Sequence, residues 1–129
     1  MSKNHNITIV TVTYNSMKVL PSMLDSIGED IPIILIDNGS KDINKMRNLT
    51  NKKNIQLIEN SINIGFGAAC NIGASRAKTK FVLFLNPDAV LCINTFAAEL
   101  LPTFKLPLIP TPPVTTNAPV VGLVEAVDP

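Results

Sequence analysis

Three groups of residues in this 129-residue chain have types and spacings that could do chemistry. The first is Asn86-Pro87-Asp88, which ends the apolar run "FVLFL" at 81–85. A proline biases the residue before it toward extended backbone, so Asn86 and Asp88 tend to project to one side and offer oxygen ligands together. A hard cation such as Mg²⁺ or Mn²⁺ takes one or two carboxylates and completes its shell with substrate phosphates and water. Taken alone, the tripeptide reads more readily as a simple turn. The second group is "IDNGSKD" at 36–42, where Asp37 ends another apolar run. Its acceptor-only carboxylate suits the imide N–H of uracil or thymine, with an Asx turn or cap as an equally weighted alternative. Ser40 is read mainly as a cap of the following helix. The third is "NIGFGAACNIG" at 63–73, with Gly65 and Gly67 at the start of a helix. Free backbone N–H groups and the helix dipole favour an anion there. Arg76, further along, reaches either a phosphate or solvent.

Composition narrows the classes open to these groups. The chain is of single-domain length and 46% hydrophobic, enough for a continuous core. Its formal charge is +1, and the basic residues are scattered through the first 105 positions, which argues against a nucleic acid or an acidic membrane surface as main partner. His5 is the single histidine, so a Ser-His-Asp hydrolase and a His-rich zinc site are both disfavoured. Cys70 and Cys92 lack CxxC spacing and are expected to pack as small hydrophobes. "MSKNHNITIV" has no secretory pattern and no run approaches a membrane span, so a cytoplasmic location is expected. The glycine loop also falls short of a dinucleotide fingerprint. Cys70 stands where the third glycine belongs, and the loop follows the third apolar run rather than the first.

The elements that must position these groups follow from periodicity. Apolar runs at 7–13, 31–36, 55–58 and 81–85 alternate with helical patterns, which predicts an α/β fold. Leu20, Met23, Leu24 and Ile27 lie at i, i+3, i+4 and i+7, with Asn15 or Ser16 as a start, Pro21 in the first turn and Gly28 as a stop. A second helix is expected over about 41–51, with Ile43, Met46 and Thr50 on one side. The third, 65–78, is built from small residues and allows close approach to a sheet. Gln56 marks run 55–58 as an edge strand, which predicts a three-layer, mainly parallel open sheet of order 3-2-1-4. Ligands of such sheets bind outside the carboxyl ends of the strands at the switch point, here between the first and fourth strands. The domain is expected to run over residues 1–101. After it comes a Pro-rich tail, 102–129, read as extended over 102–119 with one further strand possible at 120–127.

"VTVTYNS", "ILIDNGSKD", "SINIGFGAACNIGA" and "FVLFLNPDAVL" together resemble the successive motifs of family-2 glycosyltransferases of the GT-A fold, closest to their rhamnosyltransferase-like branch. The resemblance covers about 6–100 and implies a truncated, Rossmann-like GT-A sheet: the N-terminal, nucleotide-sugar-binding half alone. It implies that Thr13, Tyr14 and Asn15 line the base and ribose, that Asp37 binds the base, and that the segment Asn63 to Asn71, with Gly65 and Gly67, closes the site. It places Asn86 and Asp88 at the family's metal motif, with Mg²⁺ or Mn²⁺ as cofactor. The implied activity is inverting, metal-assisted transfer from a UDP- or dTDP-sugar, dTDP-rhamnose included, to a saccharide or lipid-linked saccharide acceptor of a cell-surface polysaccharide. The alternative is a nucleotide-sugar-binding fragment that does not transfer. After Asp88 the acidic residues are Glu99, Glu125 and Asp128. None matches a family motif, so no general base is assigned. Neither the oligomeric state nor the sugar is fixed by these residues.

Overall fold

The computed structural model describes residues 6–91 and the backbone of 122–125. The expectations placed on His5, Cys92, the boundary at residue 101, the stretch 102–119, Glu99 and Asp128 lie outside the described residues. Strands and helices alternate as β1 (Ile7–Thr13), α1 (Leu20–Ile27), β2 (Ile33–Asp37), α2 (Ile43–Leu49), β3 (Ile55–Glu59), α3 (Phe66–Arg76), β4 (Phe81–Phe84) and β5 (Gly122–Glu125). The sheet order is β3-β2-β1-β4-β5. β1 to β4 are parallel, in the 3-2-1-4 order read from the sequence, and β5 pairs antiparallel with β4. Strand β2 begins two residues later than its apolar run, because Pro32 has no N–H for the ladder; its carbonyl still accepts from Ile9 N at 2.9 Å.

Side-chain alternation divides the core between the two faces of the sheet. On one face Ile7, Ile9, Ile33, Leu35 and Leu83 pack with Leu20, Met23, Leu24 and Ile27 of α1 and Met46 of α2. On the other, Val10, Ile34, Ile36 and Val82 meet Ala69 of α3. This gives the expected α/β/α layers. Burying a side chain such as Leu35, fully enclosed here, contributes about 1.5–3 kcal/mol. Helix α1 follows its periodicity, with Pro21 in its first turn and Gly28 at φ +86° closing it, its N–H donating to the Leu24 carbonyl at 3.2 Å. Thr50 ends α2 with its hydroxyl donating to Met46 O at 2.8 Å.

Helix α3 packs by closeness. A Cβ added at Gly73 would overlap Val10 Cγ1 outright and stand 3.3 and 3.4 Å from Val10 Cγ2 and Cβ. Only a glycine lets the helix axis approach β1 at this distance. The approach carries the start of α3 to the same edge of the sheet as the ends of β1 and β2.

Candidate functional site

The parallel register brings the ends of the strands level: Thr13 of β1 pairs with Asp37 of β2, and Asp37 with Glu59 of β3. On the other side of β1, Leu85 N donates to Val10 O at 3.0 Å and Thr11 Oγ1 donates to Leu85 O at 2.8 Å, so the β1–β4 pairing continues to the residue before Asn86. Tyr14–Asn15, Asn38–Ser40, Asn60 and Asn86–Asp88 therefore leave the sheet along one edge, with the switch point between β1 and β4. That is where an open α/β sheet takes its ligands.

Asp37 is the hub of this edge. It is 1% exposed, and its carboxylate is held by its neighbours. Oδ1 accepts from Thr13 Oγ1 at 3.1 Å and from Ser40 Oγ, and Oδ2 accepts from Ser40 N at 2.9 Å. Ser40 Oγ in turn accepts from Asn15 N at 2.8 Å, and Asn15 Oδ1 accepts from Lys41 N at 3.0 Å. The turn reading of Asp37 is realised, and Ser40 is not a helix cap: Asp42 occupies the cap position of α2 and makes no side-chain cap bond. A buried carboxylate needs nearby donors, and the Ser40 hydroxyl and amide supply two of them. Asn15 adopts φ +50°, a left-handed conformation that asparagine tolerates, and both its N–H and its side-chain oxygen bond the Ser40–Lys41 turn. Thr13 is fully buried behind Asp37, so its hydroxyl supports the carboxylate instead of facing a ligand. Tyr14 is 52% exposed on the rim.

Beside Asp37 lies an open cavity of about 310 Å³, walled on one side by Gly39, Ser40 and Ile43 and on the other by Glu59, Asn60 and Ser61. Arg47 fixes Glu59 through two bonds, Nε to Oε2 at 2.9 Å and a terminal nitrogen to Oε1 at 2.6 Å. These bonds hold the Glu59 carboxyl below its ordinary range. Asn38, 2% exposed, joins the walls to the start of α3: its Nδ2 donates to Gly65 O at 3.2 Å and its Oδ1 accepts from Asn60 Nδ2 at 2.9 Å. Neither Asn38 nor Asn60 was singled out from sequence. Both follow directly on strand ends, and a search for polar residues at those positions would have found them. Glu59 gave no such signal, since its partner Arg47 is twelve residues away on another element.

Around α3 the placements are mixed. Gly65, at φ +91°, donates its N–H to Asn63 Oδ1 at 2.9 Å, so this N–H is not free for an anion. Asn63 acts in a local Asx turn. Gly67 has open space where a Cβ would lie, and Asn71 is exposed on the helix. Arg76 is removed from this edge. It lines a second cleft with Thr8, Pro32, Lys53 and Lys78 at the opposite end of the sheet. The physical reason is that α3 runs antiparallel to the strands and at about 1.5 Å per residue carries its last turn back across the sheet.

Asn86 O accepts from Ala89 N at 3.0 Å, closing a turn with Pro87 and Asp88 at its centre. Asp88 is exposed and Asn86 half-buried. No group of three His, Cys, Asp or Glu residues converges among the described residues. The donor set is one carboxylate and one amide. That suits Mg²⁺ or Mn²⁺ when a ligand phosphate completes the shell, and is too sparse for a preformed all-protein cage.

Residues 8–104 match the profile of the family described as "Glycosyl transferase family 2". The chain belongs to this family. A curated family relative, the dolichyl-phosphate beta-glucosyltransferase ALG5A of Trichomonas vaginalis, is 30% identical over a 105-residue alignment covering 70% of this chain and 32% of the relative. Among solved structures, S. aureus TarS 1-349 superposes with a TM-score of 0.65 at 23% identity, covering 74% of this chain and 31% of that one. The mannosyltransferase PcManGT from Pyrobaculum calidifontis, solved with GDP-Man and Mn2+, gives a TM-score of 0.64 at 20% identity, with coverages of 74% and 31%. These likenesses show the GT-A-type sheet. The chain spans about a third of the length of the proteins it matches. No helix among the described residues is long and apolar enough to cross a membrane.

Proposed function

We propose that this chain forms the donor-binding part of a glycosyltransferase that uses a UDP- or dTDP-sugar. The observation that carries the reading is the hydrogen-bond state of Asp37. A carboxylate offers about four acceptor directions. Oδ1 already accepts twice and Oδ2 once, which leaves a single open direction, on Oδ2, and Asp37 is one of the residues lining the cavity. One acceptor suits the single imide N–H of uracil or thymine. Guanine presents two adjacent donors, which need both oxygens, so a guanine nucleotide is the poorer fit. S. aureus TarS has been solved with UDP, in line with this choice, whereas PcManGT was solved with GDP-Man.

In this reading the base enters the cavity between Ser40 and Asn60, Tyr14 and Asn15 meet the base and ribose from the rim, and Asn63, Gly65, Gly67 and Asn71 border the phosphates and sugar. Thr13 acts through Asp37. Asp88 and Asn86 would hold Mg²⁺ or Mn²⁺ with the diphosphate, and the bound ion would supply positive charge for the leaving nucleoside diphosphate. The acceptor hydroxyl attacks the anomeric carbon from the side opposite the leaving group, with inversion, and a base outside the assigned residues takes its proton. The motif resemblance points to dTDP-rhamnose as donor and a cell-surface polysaccharide, free or lipid-linked, as acceptor. A cytoplasmic site of action belongs to the same reading.

Calorimetric titration tests it. UDP or dTDP with Mn²⁺ is expected to bind at least tenfold more tightly than GDP, and Asp88→Ala should remove the gain that Mn²⁺ confers. Equal or better GDP binding would refute the assignment of Asp37. Binding of no nucleotide would refute the donor site. Turnover of labelled UDP- and dTDP-sugars then separates transfer from binding alone: nucleotide binding with neither transfer nor hydrolysis leaves a binding module.

A further inference from the structure

Asn38 is buried and does not line the cavity, yet its side chain bonds both Asn60, which does, and Gly65 at the start of α3. Its Nδ2 donates to Gly65 O, its Oδ1 accepts from Asn60 Nδ2, and its backbone N–H donates to Thr13 O at 2.8 Å. Gly65 O is also the acceptor of Ala69 N at 3.3 Å, so the same carbonyl begins the hydrogen bonding of α3. Next to Asn38, a Cβ added at Gly39 would lie 3.3 Å from the backbone of Ile62, which shows that segment 61–63 rests directly on the β2 turn. Asn60 N further donates to Asp37 O at 2.8 Å.

We propose that Asn38 is a positioning residue: its one buried amide sets the gap between the two walls of the cavity and fixes the start of α3 against them, and nucleotide affinity depends on it. This rests on the donor-site reading above. The chemistry demands an amide. The donor end must face a carbonyl, and the acceptor end must face a side-chain N–H, on opposite sides of one planar group. Aspartate keeps the shape and the bond from Asn60 but sets a carboxylate oxygen against Gly65 O. Serine removes both bonds and leaves room for water. Aspartate therefore frees the start of α3 and serine frees both side-chain contacts, while the backbone bond from Asn60 N to Asp37 O stays in each. Lost bonds in a buried network lower affinity for a ligand seated between the freed parts, and a loss of about 1.4 kcal/mol is tenfold in binding.

The test compares Asn38→Asp and Asn38→Ser with Thr50→Ala. The last removes a buried hydroxyl bond at the end of α2, on Met46 O, and touches no cavity wall. Affinity for UDP with Mn²⁺ is measured at a temperature well below every melting midpoint. The expected result is an approximately tenfold loss in the Asn38 variants and affinity within about twofold of the parent in Thr50→Ala, although all three melt earlier. Asn38→Ser serves where Asn38→Asp does not fold. Parent-like affinity in a folded Asn38 variant, or an equal loss in Thr50→Ala, overturns the positioning role while leaving the donor site standing. A parent protein that binds neither UDP nor dTDP overturns both.

Discussion

Gly73 offers the sharpest test of how α3 is seated. Gly73→Ala places a methyl group on top of Val10 Cγ1 and within 3.3 and 3.4 Å of Val10 Cγ2 and Cβ, where carbon atoms ordinarily sit about 3.5–4.0 Å apart. Val10 is 1% exposed, belongs to the central strand, and has a stiff, β-branched side chain. It has no free space to turn into, so helix and strand must part. Overpacking of this kind costs about 1–3 kcal/mol, partly offset by the roughly 1 kcal/mol that alanine gains over glycine in a helix interior. The outright overlap with Val10 Cγ1 places this site at the upper end of that range, so a net loss of about 2 kcal/mol is expected. Val10→Ala alone removes two methyl groups and leaves a void, a loss of about 2–3 kcal/mol. In the double variant the new methyl enters that void without overlap and the helix keeps its propensity gain. Its stability should therefore fall by only about 1 kcal/mol, less than Val10→Ala alone. Urea unfolding followed by circular dichroism, with all four proteins at one temperature, measures the cycle. Additivity within about 0.5 kcal/mol, or a Gly73→Ala variant as stable as the parent, would show that α3 is not seated on Val10 and refute the packing argument.

Two further predictions concern titration and reactivity. Arg47 holds the folded-state Glu59 carboxyl below its unperturbed, unfolded-chain value, so the pair's stabilisation is fully present above that unperturbed value and is lost as the pH falls through the depressed one. Glu59→Gln should be slightly less stable than the parent at neutral pH, with the difference vanishing in acid and shrinking in high salt; a gap independent of pH contradicts the pairing. Burial pushes the Cys70 thiol up to about 11. In a Cys92→Ser background at pH 8, Cys70 should react with a thiol reagent at far below the free-thiol rate until urea unfolds the chain, and prompt labelling of the native protein would place the residue in a different environment.

The local chemistry of this chain was readable before any fold was known. The 3.6-residue spacing of Leu20, Met23, Leu24 and Ile27 and the glycine after them set α1, because helix periodicity and termination are properties of neighbouring residues. The apolar runs and the polar Gln56 set the strands and the edge, and chain connection rules then gave the order 3-2-1-4. The polar residues that follow each strand were readable for the same reason. What they do was not. Asp37 could be weighed only as ligand or turn, since its partner Thr13 is 24 residues away and meets it only through the β1–β2 register. Ser40 looked like a cap because its role depends on Asn15, brought close by that same register. Arg76 looked able to reach a phosphate until the direction of α3 carried it to the far edge. The sequence alone determined which side chains emerge at strand ends. Only the tertiary structure decided which of them touch, because a hydrogen bond between strands depends on a register set by the whole buried face.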